Sequence, residues 1–333
     1  SWVFFQNGDM IKNFNPLILQ SIVLAIFLFF LWLSAKGINS LKKIGALAGT
    51  SMFFMGILYI LLTVAAPSIV GATSATTDWS LTTFMPKFDF AYFTTISMLV
   101  FAVGGCEKIS PYVKEVDNPS KNFPKGMIIL AASVGVSALL GSLAMGIMFN
   151  SGNIPADLKM NGQYYAFKLL GEYYGLGNLL MILYAIANTL GQISALMFSI
   201  DAPLKMLIGE GDKNFIPHSF TKTNEYGAPI NGYKLTAVLV GILIIIPIGR
   251  NNLYNWLLDL NSIVMPLRYL WVFLAYIGLR GFIRNKGLME KATFKFITSD
   301  KVATLVGVWC FVFTAFACLM LKHLVLNGFS KSP

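Results

Sequence analysis

The stretch FAVGGCEKIS, Phe101 to Ser110, sets two glycines and a glutamate at the end of an apolar run that begins near Phe90. Paired glycines let the backbone leave helical geometry at little steric cost. The main-chain groups freed by such a break carry partial charge, positive at a helix N-terminus and negative at a C-terminus, so they can hold the carboxylate and ammonium of a zwitterion. The competing reading of Gly104-Gly105 is close helix packing. Glu107 reads either as the first residue of a water interface or as a carboxylate kept inside a bundle, where ion or proton duty is the default. Ile109, Tyr112, Val113 and Val116 continue an apolar stripe at helical spacing, which predicts that the helix runs on past Glu107 toward Asp117.

A second unexpected charge is Arg268, far from both ends of the apolar segment Leu253 to Leu279 and too deep for easy snorkelling. Asn261 lies seven residues before it and Tyr254 seven before that, a polar stripe on one helix face. Asp259 falls on the opposite face of a straight helix, and Pro266 can bend that geometry. Arg268 reads as a structural ion pair with Glu107 or as a contact for a ligand's negative charge. A third polar set, Asn188, Thr189, Gln192 and Ser194, interrupts another apolar helix and must face protein or water. Interhelical hydrogen bonding and ligand contact explain it equally well. Cys106, Cys310 and Cys318 show no metal-ligand spacing and read as packing residues, so no metal site or other cofactor is expected. His218 and His323 lie far apart, with no nucleophile or metal constellation, which argues against an enzyme.

The elements that must position these groups are membrane helices. Hydrophobic residues make up 56% of the 333 residues and charged residues 12%, against roughly 45–50% and about 25% in soluble domains. Stretches long enough to cross a hydrocarbon core run over Pro16 to Leu33, Ile44 to Ala66, Phe90 to Cys106 and Gly126 to Phe149. Four more follow at Leu176 to Ile200, Leu235 to Ile248, Leu253 to Leu279 and Val302 to Leu321. The sixth is short, but Tyr233 and its apolar neighbours can extend it by a turn. The expected class is an all-α polytopic membrane protein in a lipid bilayer.

The net charge of +10 is a topology signal. Lysines and arginines crowd alternate loops, those around Lys36 to Lys43, Lys108 to Lys125, Lys205 to Lys234 and Arg280 to Lys301, while the opposite loops hold few. The positive-inside rule makes the crowded set cytoplasmic and places both chain ends outside. No nucleic-acid partner is implied. In the loop KEVDNPSKNFPKG, Asn122 reads as an N-cap with Pro124 in the first turn of the next helix. On the other side NGQYYAFKLLGEYYG, with Tyr164, Phe167 and Leu170 at helical spacing, reads as a short amphipathic surface helix. The chain begins with Ser in an extracellular loop, which looks like a fragment lacking its first helices.

FAVGGCEKISPYVKEVDNPSKNFPKGM resembles the sixth transmembrane helix and following loop of the amino acid–polyamine–organocation transporter superfamily. That pattern is an aromatic, a glycine-hydrophobic-glutamate triplet, NP, a basic residue and a second proline. Here these are Phe101, Gly105-Cys106-Glu107, Asn118-Pro119, Lys121 and Pro124. SAKGINSLKKIGALAG is similar to the join of the family's fourth and fifth helices, and DAPLKMLIGEGDKNFIPHSFTKTNEYGAPING to the tail of its eighth helix and the loop into its ninth. The likeness is nearest to the glutamate:GABA antiporter branch and its uncharacterised relatives, and it covers nearly the whole chain.

The resemblance implies helices four to eleven of a twelve-helix transporter with the leucine-transporter fold, in which inverted five-helix repeats set broken helices around a midplane site. Residues 1–66 would then hold the last two helices of the first repeat, 67–87 an extracellular loop and 88–280 the complete second repeat. A cytoplasmic loop at 281–301 and a further helix at 302–326 would follow. Carried over by residue, the break Ala102, Val103, Gly104, Gly105 and Cys106 would bind the substrate's backbone-type groups. Phe101 falls on the family's aromatic gate, Glu107 on its gating and pH-responsive glutamate, and Tyr269 near a tyrosine of its tenth helix. Arg268 joins this substrate-binding set as the candidate partner of an acidic side chain, and Asn188, Gln192, Ser199 and Asn261 are candidate polar lining. A tryptophan gate found in some members falls at Ser199, with Phe198 adjacent, so that gate is absent or shifted. The expected substrate is a small amino acid or amine, moved by exchange. Proton- or sodium-coupled symport and a non-transporting amino-acid receptor remain open, as does a homo-oligomer.

Overall fold

The computed structural model describes residues 15–72, 104–149, 158–206, 217–245, 253–281 and 294–329, with scattered positions between 74 and 100. Helix α1, Pro16–Ser34, opens where the Asn15 side chain accepts the Leu17 N–H at 2.9 Å, with proline in the first turn. Helix α2 is Ile38–Val70. After a 3-10 segment, Cys106–Glu115, come α3, Pro119–Met148, and α4, Leu158–Tyr173. Helices α5, Leu179–Leu204, α6, Ile230–Ile245, α7, Leu253–Gly281, and α8, Asp300–Phe329, complete the order.

Five stretches among the described residues are long and apolar enough to span a membrane: α1, Lys42–Val70 of α2, α3, α5 and Asp300–Met320 of α8. Helix α6 is shorter, and it does start ahead of Leu235, with Tyr233 in its first turn. Of the expected third span, most of Phe90 to Val103 lies outside the described residues. Large apolar side chains such as Phe54, Leu139 and Trp309 stand exposed, as lipid-facing residues do.

Two expectations for the loop before α3 are corrected. Cys106–Glu115 is a 3-10 segment, not a continued α-helix, and the chain turns extended at Val116. Apolar residues three and four apart suit either helix, so the stripe did not distinguish them. Helix α3 begins at Pro119, after Asn118 at φ 53°, so Asn122 is not its N-cap and Pro124 lies in its body. Asn122 instead donates its side chain to the Asp117 carbonyl at 2.6 Å, closing the turn.

The chain divides into two compact units, residues 1–79 with 135–250 and residues 80–134 with 251–333. In the first, α5 packs on α1, α2 and α4. Its core joins Met55 and Tyr59 of α2, Ala144 and Met148 of α3, Phe167 and Leu170 of α4, and Met181 and Tyr184 of α5. The amphipathic reading of α4 is borne out, since Phe167 and Leu170 are fully buried and Phe167 stacks on Tyr184 at 4.7 Å. A second cluster gathers Phe27 and Leu31 with Ile200, Ala228 and Tyr233, and the Tyr233 hydroxyl donates to Asp201 at 2.5 Å. The second unit is built on the α7–α8 pair, which carries the 3-10 segment's partner residues.

Candidate functional site

The backbone turns at Gly105, whose φ of 108° belongs to the left-handed region open to glycine. The 3-10 segment starts at the next residue and carries Glu107 in its first turn. Across from it, α7 supplies Met265, Pro266, Arg268 and Tyr269. Pro266 is fully buried and removes one main-chain donor from the helix.

These elements converge on one carboxylate. Glu107 Oε2 accepts the Gly105 N–H at 3.0 Å and the Tyr269 hydroxyl at 2.6 Å. Glu107 Oε1 accepts a hydrogen bond from Arg268 Nη2. The same Gly105 N–H also reaches the Tyr269 hydroxyl oxygen at 2.7 Å, so the phenol accepts from the break and donates to the glutamate. Arg268 keeps 53% of its side chain exposed against 25% for Glu107. The expected pairing of Arg268 with Glu107 is therefore present. Tyr269, placed only by resemblance in the sequence, is the group that ties the pair to the backbone.

Gly104 sets how close the two elements come. A Cβ built there would lie 2.5 Å from Tyr269 Oη and from Met265 Cε. A side chain at this position would push the tyrosine off the turn.

The other expected site residues fall elsewhere. Phe101, Ala102 and Val103 lie outside the described residues, as do the side chains of Tyr254 and Asp259. Asn261 is exposed on α7, on the Arg268 face. Cys106 is exposed, so it is not the packing residue expected. In the other unit, Asn188, Gln192 and Ser199 recur at spacings of four and seven on one face of α5. Asn188 donates to the Tyr164 hydroxyl of α4 at 2.7 Å, the interhelical bonding the sequence allowed for, and Gln192 donates to Asn188 within α5 at 3.4 Å. Ser199 borders an apolar groove with Val23, Leu196, Leu239 and Val240. Among the described residues, no group of three or more His, Cys, Asp or Glu could hold a metal.

A charged residue in an apolar helical chain marks a candidate functional site, and comparison with known proteins gives the family. A family profile described as amino acid permease matches residues 3–328. The chain belongs to the amino acid permease family. It is a multi-pass membrane protein of a permease class, not of an enzyme class. It is 50% identical over 325 residues to the aspartate/glutamate permease AcaP of Lactococcus lactis subsp. cremoris, covering 96% of this chain and 66% of that protein. It is 25% identical over 302 residues to the inner membrane transporter YjeM of Salmonella typhimurium, covering 84% and 60%. An uncharacterised transporter of Legionella pneumophila is 24% identical over 270 residues, covering 80% and 57%. The permease chain thus spans less than two thirds of the length of these curated relatives.

Proposed function

We propose that this chain is part of a secondary transporter that carries amino acids with an acidic side chain across the cell membrane, by exchange for a related amino acid or amine. The observation that carries the reading is the donor set at the break: a main-chain N–H, a phenol and a largely exposed guanidinium directed at a carboxylate. An Arg on a membrane helix is costly and marks a ligand or ion path by default, and a guanidinium is the side chain best suited to a planar carboxylate. The permease named for aspartate and glutamate is 50% identical to this chain over 325 residues, which supports the same substrate class. In this reading Gly104, Gly105 and Cys106 offer main-chain groups to the amino acid's own ammonium and carboxylate, Arg268 reads the side chain, and Phe101 covers it. Exchange is favoured over lysine-coupled proton symport because no basic residue lies between Ile44 and Ala66.

Reconstitution of the full-length protein tests this. Liposomes preloaded with glutamate should take up labelled aspartate faster than empty ones, and Arg268→Ala should lower aspartate uptake about tenfold or more, as loss of charge-assisted hydrogen bonds does. No uptake of any amino acid would overturn the transport reading. Equal uptake into empty liposomes driven by a proton or sodium gradient would replace exchange with symport. An Arg268→Ala protein with unchanged substrate ranking would return Arg268 to a purely structural role.

A further inference from the structure

Arg268, assigned to the substrate's acidic side chain, already holds a carboxylate, and it belongs to the protein. Glu107 engages the Gly105 amide, the Tyr269 hydroxyl and Arg268 together. These are the short, charge-assisted contacts that a free aspartate or glutamate side chain would make. Glu107 sits two residues from Gly105 on a tight 3-10 turn, so its carboxylate is presented to Arg268 at a high effective concentration. The tyrosine and the amide each have one hydrogen to give: the tyrosine's goes to Glu107, and the amide's is shared between Glu107 and the Tyr269 oxygen. A second carboxylate brought to Arg268 would also meet the negative charge of the first.

We infer that Glu107 is a tethered surrogate for the substrate's side-chain carboxylate, which an acidic amino acid must displace from Arg268 in order to bind. This rests on the reading of Arg268 as the residue that recognises an acidic side chain. The displacement sets affinity as well as selectivity. A neutral side chain offers Arg268 nothing that matches Glu107, so the internal pair stays closed against it. An acidic one exchanges one ion pair for another and binds more weakly than it would to a vacant Arg268.

Glu107→Gln isolates the competition, because the carboxamide oxygen can still accept from Gly105 and Tyr269 while the negative charge facing Arg268 is lost. In purified full-length protein, competition binding should show aspartate and glutamate tightening about three- to tenfold, the scale of a partly exposed ion pair with charge-assisted hydrogen bonds. Asparagine and glutamine should change by less than about twofold, and the gain for aspartate should vanish in the Arg268→Ala background. Glu107→Ala provides a second variant that cannot refill the donor set, and it should tighten aspartate as well. Aspartate affinity that is unchanged or weaker in both Glu107 variants, with wild-type binding dependent on Arg268, would overturn the surrogate and leave the acidic-substrate reading standing. Wild-type protein that binds aspartate no better than asparagine would overturn both.

Discussion

At the scale of single residues, the site depends on what Gly104 lacks. The Tyr269 hydroxyl is fixed between the Gly105 amide and Glu107, so it cannot yield to a new methyl without giving up both partners. Met265 can rotate away, since its contact is the end of a flexible side chain. Gly104→Ala should therefore reduce substrate binding mainly through Tyr269, and Tyr269→Phe should reduce it by removing the same bridge. Combining them should cost clearly less than the sum, with a coupling of about 1 kcal/mol, because the second change removes the nearer of the two Tyr269 atoms that the first collides with and leaves Cε2 at 3.0 Å. Binding measured on the two single variants and the double variant decides the matter. Strictly additive losses would mean that Gly104 serves the backbone alone.

At the scale of elements, the second unit is held by a cation the site does not use. Arg280, at the end of α7, is 4% exposed. It donates to Asp300 in the first turn of α8 at 2.7 Å and to the Ile297 carbonyl at 2.5 Å, and it lies over the Tyr276 ring. A planar fork makes both bonds at once, which an ammonium cannot reproduce. Arg280→Ala should destabilise the protein by about 2 kcal/mol, the scale of hydrogen bonds to charged groups. Arg280→Lys should recover less than half of that in a thermal melt in detergent. The carriers of Arg268 and Tyr269 would loosen with it, so substrate binding should weaken in Arg280→Ala although Arg280 is distant in sequence from the break.

Helix positions were legible from apolar run length, and the Glu107–Arg268 pair from the oddity of two charges in such runs. The Arg280–Asp300 clamp was not, because a pair closing a loop has no periodicity to betray it. Asp300 in a first turn was its one signal. The start of α3 was misplaced because Asn118 takes a left-handed φ and Pro119 begins the helix, one turn ahead of the Asn122–Pro124 start read from the sequence. Cys106–Glu115 kept its apolar stripe but changed helix type, and the tighter turn is what brings the Glu107 carboxylate back onto the Gly105 amide.

At the scale of the whole molecule, orientation follows from where the cations lie. Lys36 sits over the Trp32 ring at the end of α1, 3.8 Å from its centroid. Lys108, Lys114, Lys121 and Lys125 flank the start of α3, Lys222 and Lys234 precede or open α6, and Lys295 and Lys301 adjoin the start of α8. Lys168, on α4, belongs to the opposite set. Each cation on the crowded side resists transfer across the membrane during insertion, so the positive-inside rule predicts those loops on the cytoplasmic side. Single cysteines can report the result once Cys106, Cys310 and Cys318 are replaced by serine or alanine, since Cys106 is exposed and would give background labelling. On intact cells an impermeant maleimide should label Lys168→Cys, exposed on α4, and spare Lys121→Cys and Lys222→Cys until the membrane is opened. The reverse pattern would invert the topology and would place the loop after the break, with its NP turn and four lysines, on the outer side. The carboxylate exchange at Arg268 would survive such an inversion, because it depends on the 3-10 turn and α7 alone.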